Sequence, residues 1–310
     1  MTRRPPVRGA VAGLLALGLL VPPPPGRAST PPAPPDRFTA AYPYVASTMR
    51  AAGQPYAGWA DSGRSFLVFD PGGDGFAVEV LGDLDRADRI AVLVPGVDST
   101  LRDFDRGLGG VTRRAPAVQA RALHAEARAA DPGAGVAVLA WLGYDPPNGL
   151  GPAAAREASA RAGARALTQL VRLLVRHRPR TTVTLVGHSY GALVVGLAAP
   201  ALPGQVTNLV ALAGVGMGAA DRAGLRTGAT VWAAEAPDDW VRWLPPARLL
   251  GHGHGVRPSA PGFGARPLPV DGVTGHDGYL VPGSGTLRAV AALTLGRPAP
   301  VTGPASAGAR

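Results

Sequence analysis

Gly187-His188-Ser189-Tyr190-Gly191 sets a serine between two glycines, directly after the apolar run 182–186 and ahead of a helix-like stretch at 192–202. A strand, a sharp turn carrying a serine and a helix make up the nucleophile-elbow pattern. In it the corner lifts the hydroxyl clear of the sheet, and small glycines let strand and helix approach. The spacing alone is weak in a chain with 43 glycines. Its flanks strengthen it: the run before is short and β-branched, as a buried parallel strand should be, and Ala, Leu and Val follow at helical spacing up to Pro200. An idle serine on a glycine-rich turn is the competing account.

A serine hydroxyl is a poor nucleophile at neutral pH until a base takes its proton, and that base is normally a histidine oriented by a carboxylate. Around such an elbow the chain order is serine, acid, histidine, each on a loop at the carboxyl end of a strand. Asp238 and Asp239 lie just beyond the strand-like run 230–234. Asp239 is the expected acid, because an acid followed by x-Val suits the loop after that strand. Asp238 is its rival, and ordinary turn chemistry is the bland account of both. Of six histidines, His124 and His177 fall in helix-like segments, and His188 is held beside the serine by the turn, where it packs or hydrogen-bonds locally. His276 follows all the strands and precedes the last helix-like stretch, 285–295, so it is the expected base, with His254 as the alternative. The oxyanion donors expected are the backbone N–H of Tyr190 and that of Val97, in the loop after the first parallel strand. His252 and His254 lack a third ligand at a recognised spacing, so no metal is expected, and serine chemistry of this kind requires no cofactor.

These residues need a scaffold that brings strand ends to one rim. Runs 66–69 and 76–80, separated by Asp70-Pro-Gly-Gly-Asp-Gly75, read as an antiparallel hairpin. Runs 90–94, 136–140, 182–186, 206–212 and 230–234 read as buried strands separated mostly by longer helical patterns. The alternation predicts an α/β fold with a mostly parallel central sheet and helices on both faces. The clearest helix spans 152–177, with proline at its start. Arg161, Arg165, Arg172 and Arg176 share one face and Leu167, Leu170, Val171 and Leu174 another, so the arginine stripe reads as a solvated face.

At 310 residues and 46% apolar content the chain suits one large catalytic domain, expected over 61–297. Arg3, Arg4 and Arg8 precede the apolar segment 10–21, four prolines and Gly26-Arg27-Ala28, which reads as a secretory signal over 1–28. The apolar run is too short to span a bilayer comfortably, so a secreted or cell-envelope protein without a stable membrane span is expected. Arg3-Arg4 raises twin-arginine export, which Pro5-Pro6 fits badly. A Pro-rich leader and N-terminal arm over 29–60 and a small-residue tail over 298–310 complete the expected organisation.

The absence of cysteine removes disulfides, thiolate metal sites and a cysteine nucleophile. The net charge of +10 falls to +6 once a signal carrying four arginines and no acid is removed. All 31 basic residues are arginine, a codon-bias signature, and they form no cluster with aromatics, so no nucleic-acid partner is expected.

The elbow GHSYG, VPGVDS at 94–99, WLGYDPP at 141–147, APDDWVRWLP at 236–245, GHGHG at 251–255, and FGARP and GHDGYL further on together resemble an actinobacterial α/β-hydrolase family of uncharacterised function. The resemblance covers roughly residues 85 to 296 and implies the α/β-hydrolase fold, with Ser189, Asp239 and His276 matching the family's presumed triad. Where it would put an Asp-Pro pair after GHGHG, this chain has Arg257-Pro258. The expectation is a secreted serine hydrolase cleaving an ester or related acyl bond in a small-molecule or lipid-like substrate. Trp141, Tyr144, Trp240 and Trp243 are candidates for an apolar substrate wall or for core packing. A cell-envelope acyltransferase would use the same triad, and a catalytically silent binding domain would use the same fold without it.

Overall fold

Short β-branched runs form strands here because both of their faces are covered. A computed structural model describes residues 37–149, 151–244, 248–249 and 252–299. The signal over 1–28, the leader up to residue 36 and the tail from 300 onward lie outside the described residues.

Eight strands form one sheet in the order β1-β2-β4-β3-β5-β6-β7-β10. β1 (Ser65–Asp70) and β2 (Phe76–Leu81) are the expected hairpin, and β2 also runs antiparallel to β4 (Val136–Leu142). From there β3 (Arg89–Val94), β5 (Thr182–His188), β6 (Val206–Leu212), β7 (Thr230–Ala234) and the two-residue β10 (Arg266–Pro267) are joined by parallel pairings. A separate ribbon pairs β8 (Arg248–Leu249) with β9 (His252–Gly253).

Alternation along the central strands divides the core in two. Ile90, Val92 and Val94 pack with α5 (Ala158–His177) and α6 (Tyr190–Ala198) on one side of the sheet. Ala91 and Leu93 face the other side, with α1 (Tyr42–Ala51), α2 (Tyr56–Asp61), α3 (Pro116–Ala130) and α7 (Gly285–Thr294). A strand buried on both faces reads as a continuous apolar run, which is why these strands stand out in the sequence. Residues 37–61 belong to this packing, since Phe38, Val45, Met49 and Ala60 are buried in it. Arg161, Arg165, Arg172 and Arg176 of α5 are exposed and Leu167, Leu170, Val171 and Leu174 buried, as the stripe predicts.

The helix expected over 152–177 is broken. α4 (Pro152–Ala155) stops at Arg156, whose backbone is extended at φ −93° and ψ 147°, and α5 begins at Ala158. The cause lies far along the chain: the Tyr190 hydroxyl donates to the Arg156 carbonyl at 2.8 Å and accepts from the Ala160 N–H at 3.3 Å. A hydroxyl thus occupies groups that a continuous helix would pair with each other.

Candidate active site

Register brings the relevant strand ends to one rim. Val94 of β3 pairs with Gly187 of β5, His188 with Leu212 of β6, and Leu212 with Ala234 of β7. The loops leaving β3, β5 and β7 therefore start side by side at the carboxyl edge, where open α/β sheets place their ligands.

Ser189 stands at the corner between β5 and α6 with φ 54° and ψ −118°. A non-glycine residue there costs about 1–3 kcal/mol and persists only where its surroundings enforce it. They do so through close backbone approach, because a Cβ on Gly191 would collide with the Val94 carbonyl oxygen and lie 2.7 Å from that of Pro95. The loop after β3 lies against the serine too: a Cβ on Gly96 would come within 2.9 Å of the Ser189 Cβ. Tyr190 is the first residue of α6, so its N–H has no acceptor within the helix and points, with the positive end of the helix dipole, toward the rim. Val97 lines the same space as Ser189. Tyr190 and Val97, the residues expected to supply the oxyanion donors, thus both lie beside Ser189.

Asp239 is fully buried and follows β7. Its Oδ1 faces Nδ1 of His276 at 2.9 Å and accepts from the Val241 N–H at 2.9 Å, while its Oδ2 accepts from the Tyr279 hydroxyl at 2.6 Å. Burial acts to raise the carboxyl pKa, but the hydrogen bonds from His276, Tyr279 and Val241 outweigh it and hold the group below the ordinary carboxylate range. Asp239 is thereby kept ionised beside the imidazole. Asp238, the rival, is exposed and accepts instead from the Gly275 N–H at 2.8 Å, bracing the loop that carries His276.

His276 is packed between two rings, Trp240 at 4.6 Å and His188 at 4.8 Å between centroids. His188 Nε2 lies 2.7 Å from the His276 carbonyl oxygen, which can only accept, so Nε2 carries the proton. Burial, and then the neighbouring His276, push His188 down to about 4, so the ring is neutral near pH 7. His254, the alternative base, does not line the cleft that His276 shares with Ser189; it sits edge-on to the Tyr190 ring at 5.4 Å, on the wall of a second, smaller cleft that also reaches Ser189. The side chain of His252 is outside the described residues.

Ser189 and His276 share the wall of a cleft of about 440 Å³ with Asp98, Arg113, Gln119 and Trp240. Trp240 is the one member of the expected aromatic wall to line it. Trp141 and Tyr144 are buried and stacked on each other at 5.7 Å, and the Tyr144 hydroxyl donates to the Pro95 carbonyl at 2.6 Å, supporting the loop after β3 from beneath. Trp243 is 86% exposed. Arg257 ties its segment to the end of β7, with Nη1 at 2.6 Å from both carboxylate oxygens of Glu235, which also accepts from the Ser259 hydroxyl. Sequence reasoning missed Tyr279, although it stands three residues after His276 in the same GHDGYL segment.

Residues 70–249 match the family model described as Alpha/beta hydrolase. The chain belongs to the alpha/beta hydrolase family. It is 32% identical over 268 residues to an uncharacterized protein of Mycobacterium tuberculosis, a match covering 74% of this chain and 39% of that protein. An uncharacterized protein of Mycobacterium bovis is 32% identical over 145 residues, covering 45% of this chain and 53% of its own. This alpha/beta hydrolase thus spans less than two thirds of the curated relatives it matches. Among solved structures it is similar to a serine hydrolase without lid from Xanthomonas campestris, at 21% identity and TM-score 0.40, covering 77% of this chain and 97% of that one. A carboxylesterase from Mesorhizobium loti is 17% identical with TM-score 0.42, covering 74% and 98%. Among the described residues no helix is long and apolar enough to cross a membrane, and no three His, Asp or Glu form a group able to hold a metal ion.

Proposed function

We propose that this alpha/beta hydrolase cleaves a carboxylic ester by acyl transfer through Ser189. The observation that carries the reading is the Asp239–His276 hydrogen bond at 2.9 Å, with His276 on the same cleft wall as the strained Ser189. An ionised Asp239 holds the proton on Nδ1, which leaves Nε2 as the acceptor. His276 takes the Ser189 proton as Oγ bonds to the acyl carbon, and returns it to the alkoxy oxygen as that carbon–oxygen bond breaks. Water repeats the cycle: its oxygen bonds to the acyl carbon, its proton passes through His276 to Oγ, and the acid leaves. The amides of Tyr190 and Val97 stabilise the oxyanion in both halves. The reading needs no metal or cofactor. Export directed by residues 1–28 belongs to the same proposal, and an exported form starting at Ser29 would support it.

Hydrolysis of short-chain esters by the purified protein tests the proposal. Ser189→Ala is expected to lower kcat by at least about 10⁴ while the fold melts as before. A variant that keeps wild-type turnover removes Ser189 from the chemistry.

A further inference from the structure

Two clefts of different chemistry meet at Ser189. The larger, about 440 Å³, is the one that His276 lines. The smaller, about 220 Å³, is walled by Ala154, Ala155, Val215, Leu244, Tyr190 and His254. Val97, Ser189 and Trp240 belong to both. Resting on the acyl-transfer reading above, we infer that the substrate is an ester of a short apolar acid with an uncharged, polyhydroxylated alcohol, its acyl chain in the smaller cleft and its alcohol in the larger.

Proton transfer decides which half goes where. The leaving oxygen must collect the proton that His276 took from Ser189, so the alcohol lies on the His276 side. His276 opens on the larger cleft and does not line the smaller one. The acyl chain, on the other side of the reacting carbon, is left with the alanine, valine and leucine wall.

Charge and size then describe the two halves. In the larger cleft Asp98 and Asp277 balance Arg113 and Arg114, and Arg114 pairs with Asp277 at 2.7 Å. Formal charges cancel, so neither an anionic nor a cationic alcohol is favoured. Asp98, Ser99, Arg113 and Gln119 nevertheless offer donors and acceptors suited to hydroxyl groups. The smaller cleft is below the roughly 300–1,000 Å³ of drug-sized sites. At about 30 Å³ per methylene-sized unit, close to a water's share of liquid volume, it holds a chain of roughly seven carbons. Two alanines of α4, Ala154 and Ala155, line it, and the residue that follows α4, Arg156, accepts from the Tyr190 hydroxyl at 2.8 Å.

Two matched ester series on the full chain test the assignment. With glycerol as the fixed alcohol, kcat/KM is expected to rise about threefold per methylene from acetyl to roughly octanoyl and to fall for dodecanoyl and hexadecanoyl. With butanoyl as the fixed acid, glycerol and glucose esters are expected to exceed octyl, choline and glycerol-phosphate esters by about tenfold or more. Ala154→Phe should move the chain optimum several carbons shorter, and Gln119→Leu should shrink the glycerol-over-octyl ratio, with melting curves as the folding control. A steady rise to hexadecanoyl, or preference for octyl or charged alcohols, overturns the subsite assignment while leaving the serine reading intact. No turnover of any ester, together with no labelling by a fluorophosphonate, overturns both.

Discussion

Tyr279 donates its hydroxyl to Oδ2 of Asp239 at 2.6 Å, on the carboxylate oxygen opposite the one that faces His276. The same hydroxyl accepts from the Ala236 N–H at 2.8 Å, so one buried phenol ties the strand end, the acid and the histidine loop together. Hydrogen bonding to a charged group is worth about 1.5–3 kcal/mol. Tyr279→Phe is expected to cost about that much stability in urea titration. It also removes one of the bonds that lower the Asp239 pKa, so less stability is stored in that carboxylate and acid unfolding should set in at higher pH. An acid-unfolding curve that does not move would remove Tyr279 from the tuning of Asp239.

The two adjacent aspartates should separate in kinetics. Asp239→Asn keeps the shape but loses the charge that orders the imidazole, and is expected to lower kcat by about a thousandfold or more. Asp238→Asn loses the charge but keeps an oxygen able to accept from the Gly275 N–H, and should cost less than about tenfold. Equal losses in the two variants would contradict the assignment.

His188 makes stability depend on pH. Its folded value of about 4 lies below the ordinary histidine value of about 6.5, so the unfolded chain binds more protons between those values. Its contribution is whole above about pH 6.5 and is lost as pH falls toward 4. Asp277 and Asp239 face the ring with His276 and moderate the effect. Relative to His188→Gln, the wild type is expected to lose on the order of 2 kcal/mol between pH 7 and pH 4.5 in denaturant titrations. Parallel curves for the two proteins would remove His188 as the cause.

The elbow should not tolerate added volume. Gly191→Ala places a methyl against the Val94 and Pro95 carbonyls and is expected to cost about 2 kcal/mol or more, read as a lower melting temperature. A variant as stable as wild type would mean that the loop after β3 can retreat from the serine.

Much of this site is legible in the sequence because its signals are local. The strand ahead of Ser189 is a short β-branched run, the corner is bracketed by glycines, and β6 and β7 lie where their apolar runs predict. What escapes the sequence is set by distant partners. Residues 152–158 are rich in alanine and good helix formers, and the break at Arg156 is imposed by a hydroxyl 34 positions away. β10 is two residues long and contains a proline, so only its pairing with Trp232 and Ala233 reveals it as an edge strand. Tyr279 reads as a bulky residue ahead of a helix until its hydroxyl is seen between Asp239 and Ala236.

Locating a fluorophosphonate adduct by peptide mass spectrometry bears most directly on whether Ser189 is an activated nucleophile. One adduct on Ser189 is predicted, formed by the native protein, slowed strongly in His276→Ala and absent after heat unfolding. A folded protein that takes no adduct, or carries it on another serine with Ser189 unmodified, would contradict the account.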